Sequence, residues 1–202
     1  MTRALTQDEV MAEFRAAGAL LTGHFVLTSG LHSPNYLQCA RVLMDPARAA
    51  RLVAGLVPRV AAAGPELVVA PALGGIVLAY ELARQLGRTA IFVERVEGTF
   101  TLRRGFEIPP GSRVIVAEDV ITTGLSTREC IACCRAAGGE VVGVACLVDR
   151  SAGKAELGVP LHSLAALDLP TFPAHRLPPE LAAIPAVKPG SRGLDALAPP
   201  TR

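Results

Sequence analysis

The sequence predicts an α/β fold, a doubly wound and mostly parallel sheet flanked by helices. Three observations carry that expectation. Short apolar runs rich in β-branched residues, Leu67-Val68-Val69-Ala70 and Val114-Ile115-Val116 among them, read as strands buried on both faces. Helical patterns separate them in the order strand–helix–strand–helix–strand. The connections are short, as they are when each helix packs back onto the sheet that its strands form. The 202 residues are half hydrophobic with a formal net charge of +2, which suits a single domain with a real core over residues 1–202. So small a charge implies no broad nucleic-acid or polyanion surface. No apolar run is long enough to span a bilayer, and Met1–Val10 does not read as a signal peptide. The five cysteines are odd in number, and Cys130, Cys133 and Cys134 crowd one predicted helix. They are expected to be reduced, packed thiols, which places the chain in the cytoplasm.

Each element has its own local signal. Thr6-Gln7-Asp8-Glu9 is a capping box that opens a helix with the apolar stripe Val10, Met11, Phe14 and a stop at Gly18. Gly23–Gln38 alternates through Phe25 and Leu27, breaks at Ser29-Gly30 and resumes around Tyr36, a hairpin-like element outside the βα rhythm. Asp45-Pro46 is a helix start, and Gly64-Pro65 ends that helix after about Ala63. Glu66–Ala70 is the first central strand. The small-residue turn Pro71-Ala72-Leu73-Gly74-Gly75 then opens a helix over Ile76–Leu86, and Thr89–Val93 is the next strand. Glu94–Phe106 carries Arg95, Arg103 and Arg104 with little apolar periodicity and reads as a mobile flap (about 94–106), or else as a solvated β-ribbon. Pro109-Pro110-Gly111 turns the chain into the strand that starts at Arg113. A loop, Thr122–Thr127, leads from it into a helix that runs to about Ala137. Glu140–Val148 is a buried strand ending in Asp149-Arg150, and Leu161–Leu167 is a last short one. The remainder, about 170–202, is rich in proline and alanine and is expected to wrap the surface or fray.

The chemistry concentrates in Arg113–Thr127, RVIVAEDVITTGLST. Glu118 and Asp119 end its strand, and a loop of small hydroxyl residues around Gly124 precedes its helix. Such a loop offers free backbone N–H groups to an anion, and the helix dipole adds roughly half a positive charge. The acids cannot bind a phosphate, but they can accept hydrogen bonds from neutral hydroxyls or help to hold a metal. A sugar phosphate meets both demands; the bland alternative is a solvated strand end capping the next helix. Gly74-Gly75 is a second cradle of the same kind or simple tight packing. Arg150, at the carboxyl end of a strand, points into the crevice where parallel sheets bind ligands, or pairs with Asp149. Neither GxxxxGK[ST] nor GxGxxG occurs.

The string RVIVAEDVITTGLST closely resembles the 5-phosphoribosyl 1-diphosphate (PRPP) motif of type I phosphoribosyltransferases. With the segment GHFVLTSGLHSPNYLQ, the strand-end Arg150 and the stretch IPAVKPGSRG (184–193), the chain is similar to the orotate phosphoribosyltransferases, a branch of that family, over roughly Leu20 to Gly193. The resemblance implies transfer of the phosphoribosyl group from PRPP to orotate, giving orotidine 5′-phosphate and pyrophosphate, with Mg²⁺ held mainly through PRPP and not by side chains. It makes the N-terminal hairpin (about 20–40) a small hood subdomain over the base. Glu118, Asp119 and Arg95 become the catalytic residues. Val120, Ile121, Thr122, Thr123, Gly124, Leu125, Ser126 and Gly74 join them around PRPP, and Thr122, Arg150 and Tyr36 contact orotate. It implies a homodimer acting on these small molecules, with neither nucleic acid nor membrane as partner. The chain departs from the family in carrying Thr28 and Gly74 where many members have lysines, and in a shorter flap without lysine or histidine. Two alternatives share the loop: a purine phosphoribosyltransferase, and a PRPP-sensing regulatory protein.

Overall fold

The computed structural model describes residues 5–27 and 29–189. Thr28 and residues 190–202, including the end of the IPAVKPGSRG stretch, lie outside the described residues. Helix α1 (Gln7–Ala16) starts from the expected box: Thr6 Oγ1 accepts the Glu9 amide at 3.3 Å, and the Glu9 carboxylate accepts the Thr6 amide at 2.9 Å. Strands β1 (Leu20–Val26) and β2 (His32–Leu37) pair antiparallel as a separate two-stranded hairpin. Helix α2 (Cys39–Leu43), too short to show a period in sequence, leads to α3 (Pro46–Ala61). Asp45 Oδ1 caps α3 by accepting the amides of Ala47 and Arg48 at 2.9 and 3.2 Å.

The main sheet follows from β3 (Leu67–Pro71), α4 (Gly75–Leu86), β4 (Thr89–Val96), β5 (Thr99–Leu102), β6 (Arg113–Ile121), α5 (Leu125–Ala136), β7 (Glu140–Asp149) and β8 (Leu161–Ala166). Its order is β5-β4-β3-β6-β7-β8, every neighbouring pair parallel except β4 and β5. One face is covered by α1 to α4, packed on Val68, Ala70, Ile115 and Ala117; the other is covered by α5, packed on Val69, Val114, Val116 and Cys146. The sheet is doubly wound, as the sequence predicts. The chain moves outward from β3 through β4, then returns to β6 on the other side, so strand order reverses between β3 and β6. Turns leaving the carboxyl ends of those two strands diverge and open a crevice.

The 94–106 segment is not a structureless connection. It completes β4, turns at Glu97 and Gly98 with φ of 50° and 85°, and returns as β5. Two successive positive φ values match the turn that two-residue hairpins favour. The segment is the β-ribbon of the two sequence expectations, anchored by Phe100, only 6% exposed. Residues 170–189 wrap rather than fray. A 3₁₀ turn (Ala174–Arg176) and helix α6 (Pro179–Ala182) carry them past the β1–β2 hairpin, where Phe172 bridges to His32 and Val187 to Phe25.

Candidate active site

The site grows from the carboxyl end of β6. Ile115 and Ala117 face the α3–α4 layer, while Val114 and Val116 face α5. The same alternation sends the two adjacent acids to opposite sides of the sheet end. Asp119 turns toward the loop before α4: a Cβ built on Gly74 would stand 3.1 Å from Asp119 Oδ2. Asp119 also accepts the Val120 amide at 2.8 Å. Glu118 turns the other way and lines a cavity. Gly75 lies flush on β6, since a Cβ there would approach the Ala117 carbonyl to 2.5 Å. The Ala72–Leu73 peptide in this turn is cis.

Burial and the neighbouring Asp119 charge push the Glu118 carboxyl up to about 8, and burial raises Asp119 as well. No ion pair joins either acid to a cation among the described residues. At neutral pH the pair therefore retains a proton and can both donate and accept hydrogen bonds, which suits vicinal hydroxyls.

The loop after β6 is an anion cradle by its backbone. Thr122, Thr123, Gly124, Ser126 and Thr127 have amides without an acceptor among the described residues. The Leu125 amide has only the Thr123 hydroxyl, at 3.4 Å. Gly124 is required here: its φ is +73°, and a Cβ would stand 2.8 Å from Leu157 Cδ2. Donors converge at the start of the 12-residue α5, where the helix dipole favours negative charge.

A cavity of about 470 Å³ connects this loop to the hairpin. Tyr36, Glu118, Val120, Ile121, Thr122, Thr123, Gly124, Leu125, Ser126 and Arg150 all line it. Gly74 and Asp119 meet beside it. Burial pulls the Arg150 guanidinium below its usual value, and its buried Nε has no hydrogen-bond partner among the described residues. The alternative pairing with Asp149 is not made among the described residues; that carboxylate accepts the Ser151 amide at 2.8 Å. Arg150 is thus a desolvated cation aimed into a cavity, a site for a carboxylate. Tyr36 is no core residue: it is half-buried, with its ring centroid 5.6 Å from that of Phe25.

Arg95 stands apart from this group. It is exposed on the β4–β5 hairpin, ion-paired with Glu129 of α5, bonded to the Gly98 carbonyl at 2.6 Å and stacked over Phe100 at 4.1 Å. Arg104 is held by Glu94 at 2.8 Å. Arg103 has no ion-pair partner among the described residues. Sequence reasoning missed Val26, Leu27 and Leu37 in the cavity wall, and Pro189, which arrives from the far end of the chain. It also missed Arg128, whose guanidinium donates to the Thr123 carbonyl at 2.9 Å and stiffens the cradle. An arginine one turn into a helix that follows a phosphate-type loop is a signal that could have found it.

Residues 43–158 match the family model described as "Phosphoribosyl transferase domain". The orotate phosphoribosyltransferase of Methylobacterium sp. (strain 4-46) is 61% identical over 191 residues, 93% of this chain and 97% of that one. Among solved structures, the orotate phosphoribosyltransferase of Aeropyrum pernix is 32% identical with a TM-score of 0.65, covering 78% of this chain and 93% of that one. The Mycobacterium tuberculosis H37Rv orotate phosphoribosyltransferase in complex with PRPP is 28% identical with a TM-score of 0.64, covering 79% and 96%.

Proposed function

The chain belongs to the phosphoribosyl transferase family, and from that premise we infer that it is an orotate phosphoribosyltransferase of pyrimidine biosynthesis. It transfers the phosphoribosyl group of PRPP to orotate, giving orotidine 5′-phosphate and pyrophosphate. The purine-type and sensor readings are not favoured, since relatives matching nearly the whole chain are named for the orotate reaction. The observation that carries the base assignment is the unpartnered Arg150 guanidinium, which shares one cavity with Glu118 and the amide cradle.

The geometry supports a division of labour. Thr122–Ser126 hold the 5′-phosphate with their backbone amides. Glu118 and Asp119, on opposite sides of the β6 end, take the 2′- and 3′-hydroxyls. Arg150 binds the orotate carboxylate, with Tyr36 along the ring and Thr122 at its edge. The bond from the ribose carbon to pyrophosphate breaks, the bond to orotate N1 forms, and the N1 proton passes to the departing pyrophosphate or to water. Positive charge grows on the ribose carbon meanwhile, so the protein contributes positioning and electrostatics rather than covalent chemistry.

Mg²⁺ fits this donor set only in part. Glu118 and Asp119 are hard oxygen ligands, but no group of three or more metal-ligating side chains gathers among the described residues. The ion would take most of its oxygens from pyrophosphate, ribose and water, and would neutralise the leaving group. For the pyrophosphate the hairpin offers Arg95, Arg103 and Arg104, of which Arg103 is the one without an ion pair among the described residues. Arg95 can take part only by giving up Glu129. We assign a homodimer in which the hairpin serves the shared site; Leu73, Val77 and Tyr80, which are 83%, 48% and 68% exposed, form an apolar stripe on α4 and the turn before it for the second copy. Five free thiols fit the cytoplasm, and no helix among the described residues is long and apolar enough to cross a membrane.

Turnover with PRPP and Mg²⁺ tests the reading. Orotate should be consumed, while hypoxanthine, adenine and xanthine should not. Consumption of a purine base at a comparable rate, or PRPP binding without turnover of any base, would overturn it.

A further inference from the structure

We propose that His24 is a positioning residue for the base pocket, fastening the C-terminal segment to the β1–β2 hairpin so that both form one wall. The inference rests on the orotate reading but concerns residues that touch neither phosphate nor ribose. His24 is 5% exposed, and its Nδ1 lies 2.8 Å from the Ile184 carbonyl. A carbonyl can only accept, so Nδ1 carries the proton and donates. In the neutral ring that leaves Nε2 as an acceptor, and His32 Nδ1 stands 2.6 Å from it, able to donate. The two imidazoles thus form one relay from β2 through β1 to the C-terminal segment.

Backbone bonds complete the fastening on both edges of the hairpin. Val187 donates to the His24 carbonyl at 2.8 Å and accepts from the Val26 amide at 2.9 Å, bracketing Phe25. On the other edge His32 and Phe172 exchange two bonds of 2.8 Å, and the buried Ser33 hydroxyl donates to the Pro170 carbonyl at 2.9 Å. The bracketed Phe25 is 1% exposed and supports the Tyr36 ring. Beyond the bracket, Val26 and Leu27 line the cavity from the hairpin, and Pro189 lines it from the C-terminal segment. A two-stranded hairpin is at best marginally stable alone. The segment supplies a third partner, and His24, like Ser33 on the other edge, is a buried side chain that bonds both hairpin and segment. None of these contacts reaches the Thr122–Ser126 cradle, so loosening them should act on the base and spare PRPP.

Steady-state kinetics on the full chain test this with His24→Leu, His24→Asn and Val187→Pro. The asparagine amide keeps a donor close to the place of Nδ1. The proline removes the Val187 N–H outside the main core, where folding of the α/β sheet does not depend on it. His24→Leu and Val187→Pro should each raise the orotate KM about five- to tenfold, with the PRPP KM within about twofold. His24→Asn should restore the orotate KM to within about threefold of wild type. An unchanged orotate KM in Val187→Pro, or equal rises for both substrates, would overturn the proposal, even if His24→Leu failed to fold. Failure of the wild-type chain to use orotate would instead strike at the functional reading, so the two are told apart.

Discussion

Arg150 and Glu118 owe their chemistry to burial, and each yields a measurement. Arg150 keeps its charge inside a cavity with Nε unpartnered, so a ligand carboxylate relieves a desolvation cost that the free protein bears. Arg150→Ala should lower kcat/KM for orotate by on the order of a hundredfold, the loss of a charge-assisted pair worth roughly 2–3 kcal/mol. PRPP affinity, measured by calorimetric titration, should change little; equal losses for both ligands would make Arg150 structural. Glu118 behaves in the opposite sense. Its folded value of about 8 lies above the ordinary 4.5, so the native state holds a proton that the unfolded chain has released. Stability from this group is full below about 4.5 and declines as pH rises toward 8, at about 1.4 kcal/mol per unit at most. Glu118→Gln should therefore flatten the Tm profile between those limits and melt higher than wild type at pH 8, by roughly 4 °C or more. Parallel profiles for the two proteins would show that Glu118 is ionised throughout.

At the scale of the element, the β4–β5 hairpin separates its three arginines. Arg95 and Arg104 are committed to Glu129 and Glu94 at exposed positions, while Arg103 has no ion-pair partner among the described residues. Exposed pairs contribute little to stability, so alanine at any of the three should leave Tm nearly unchanged. Turnover should distinguish them: Arg103→Ala is expected to lower kcat about tenfold, and Arg104→Ala to act weakly. If all three variants turn over normally, the hairpin is a solvated ribbon and the pyrophosphate charge is met elsewhere. The segment was legible as polar and arginine-rich, and a β-ribbon was one of its two readings; one buried anchor, Phe100, is too few to show a period that would choose the ribbon over a flap.

For the molecule as a whole, the exposed stripe Leu73, Val77, Tyr80 is the surface that a second copy would cover. Sedimentation at micromolar concentration should give a dimer, and Tyr80→Glu should shift it to monomer by burying an unpaired charge in the interface. A wild-type chain that sediments as a monomer at every concentration would remove the dimer from the scheme, and with it the sharing of hairpins.

Local signals are what the sequence determined by itself. The capping box at Thr6, the Asp45-Pro46 start, the buried runs and their βα rhythm follow from neighbours along the chain, and they suffice for a doubly wound sheet. The amide cradle was legible too, since Thr122–Ser126 needs only its own backbone and the next helix. Long-range placement was left to tertiary structure. That Glu118 and Asp119 part to opposite sides depends on which faces of β6 the helices cover. That Arg150 is unpartnered while Asp149 bonds the Ser151 amide depends on where the folded strand end sets the two side chains. That Pro189 reaches a wall made by Val26 and Leu27 depends on bonds spanning most of the chain, such as His24 to Ile184. Contacts of that separation arise from packing and backbone hydrogen bonding in the folded molecule, and no window of neighbouring residues encodes them.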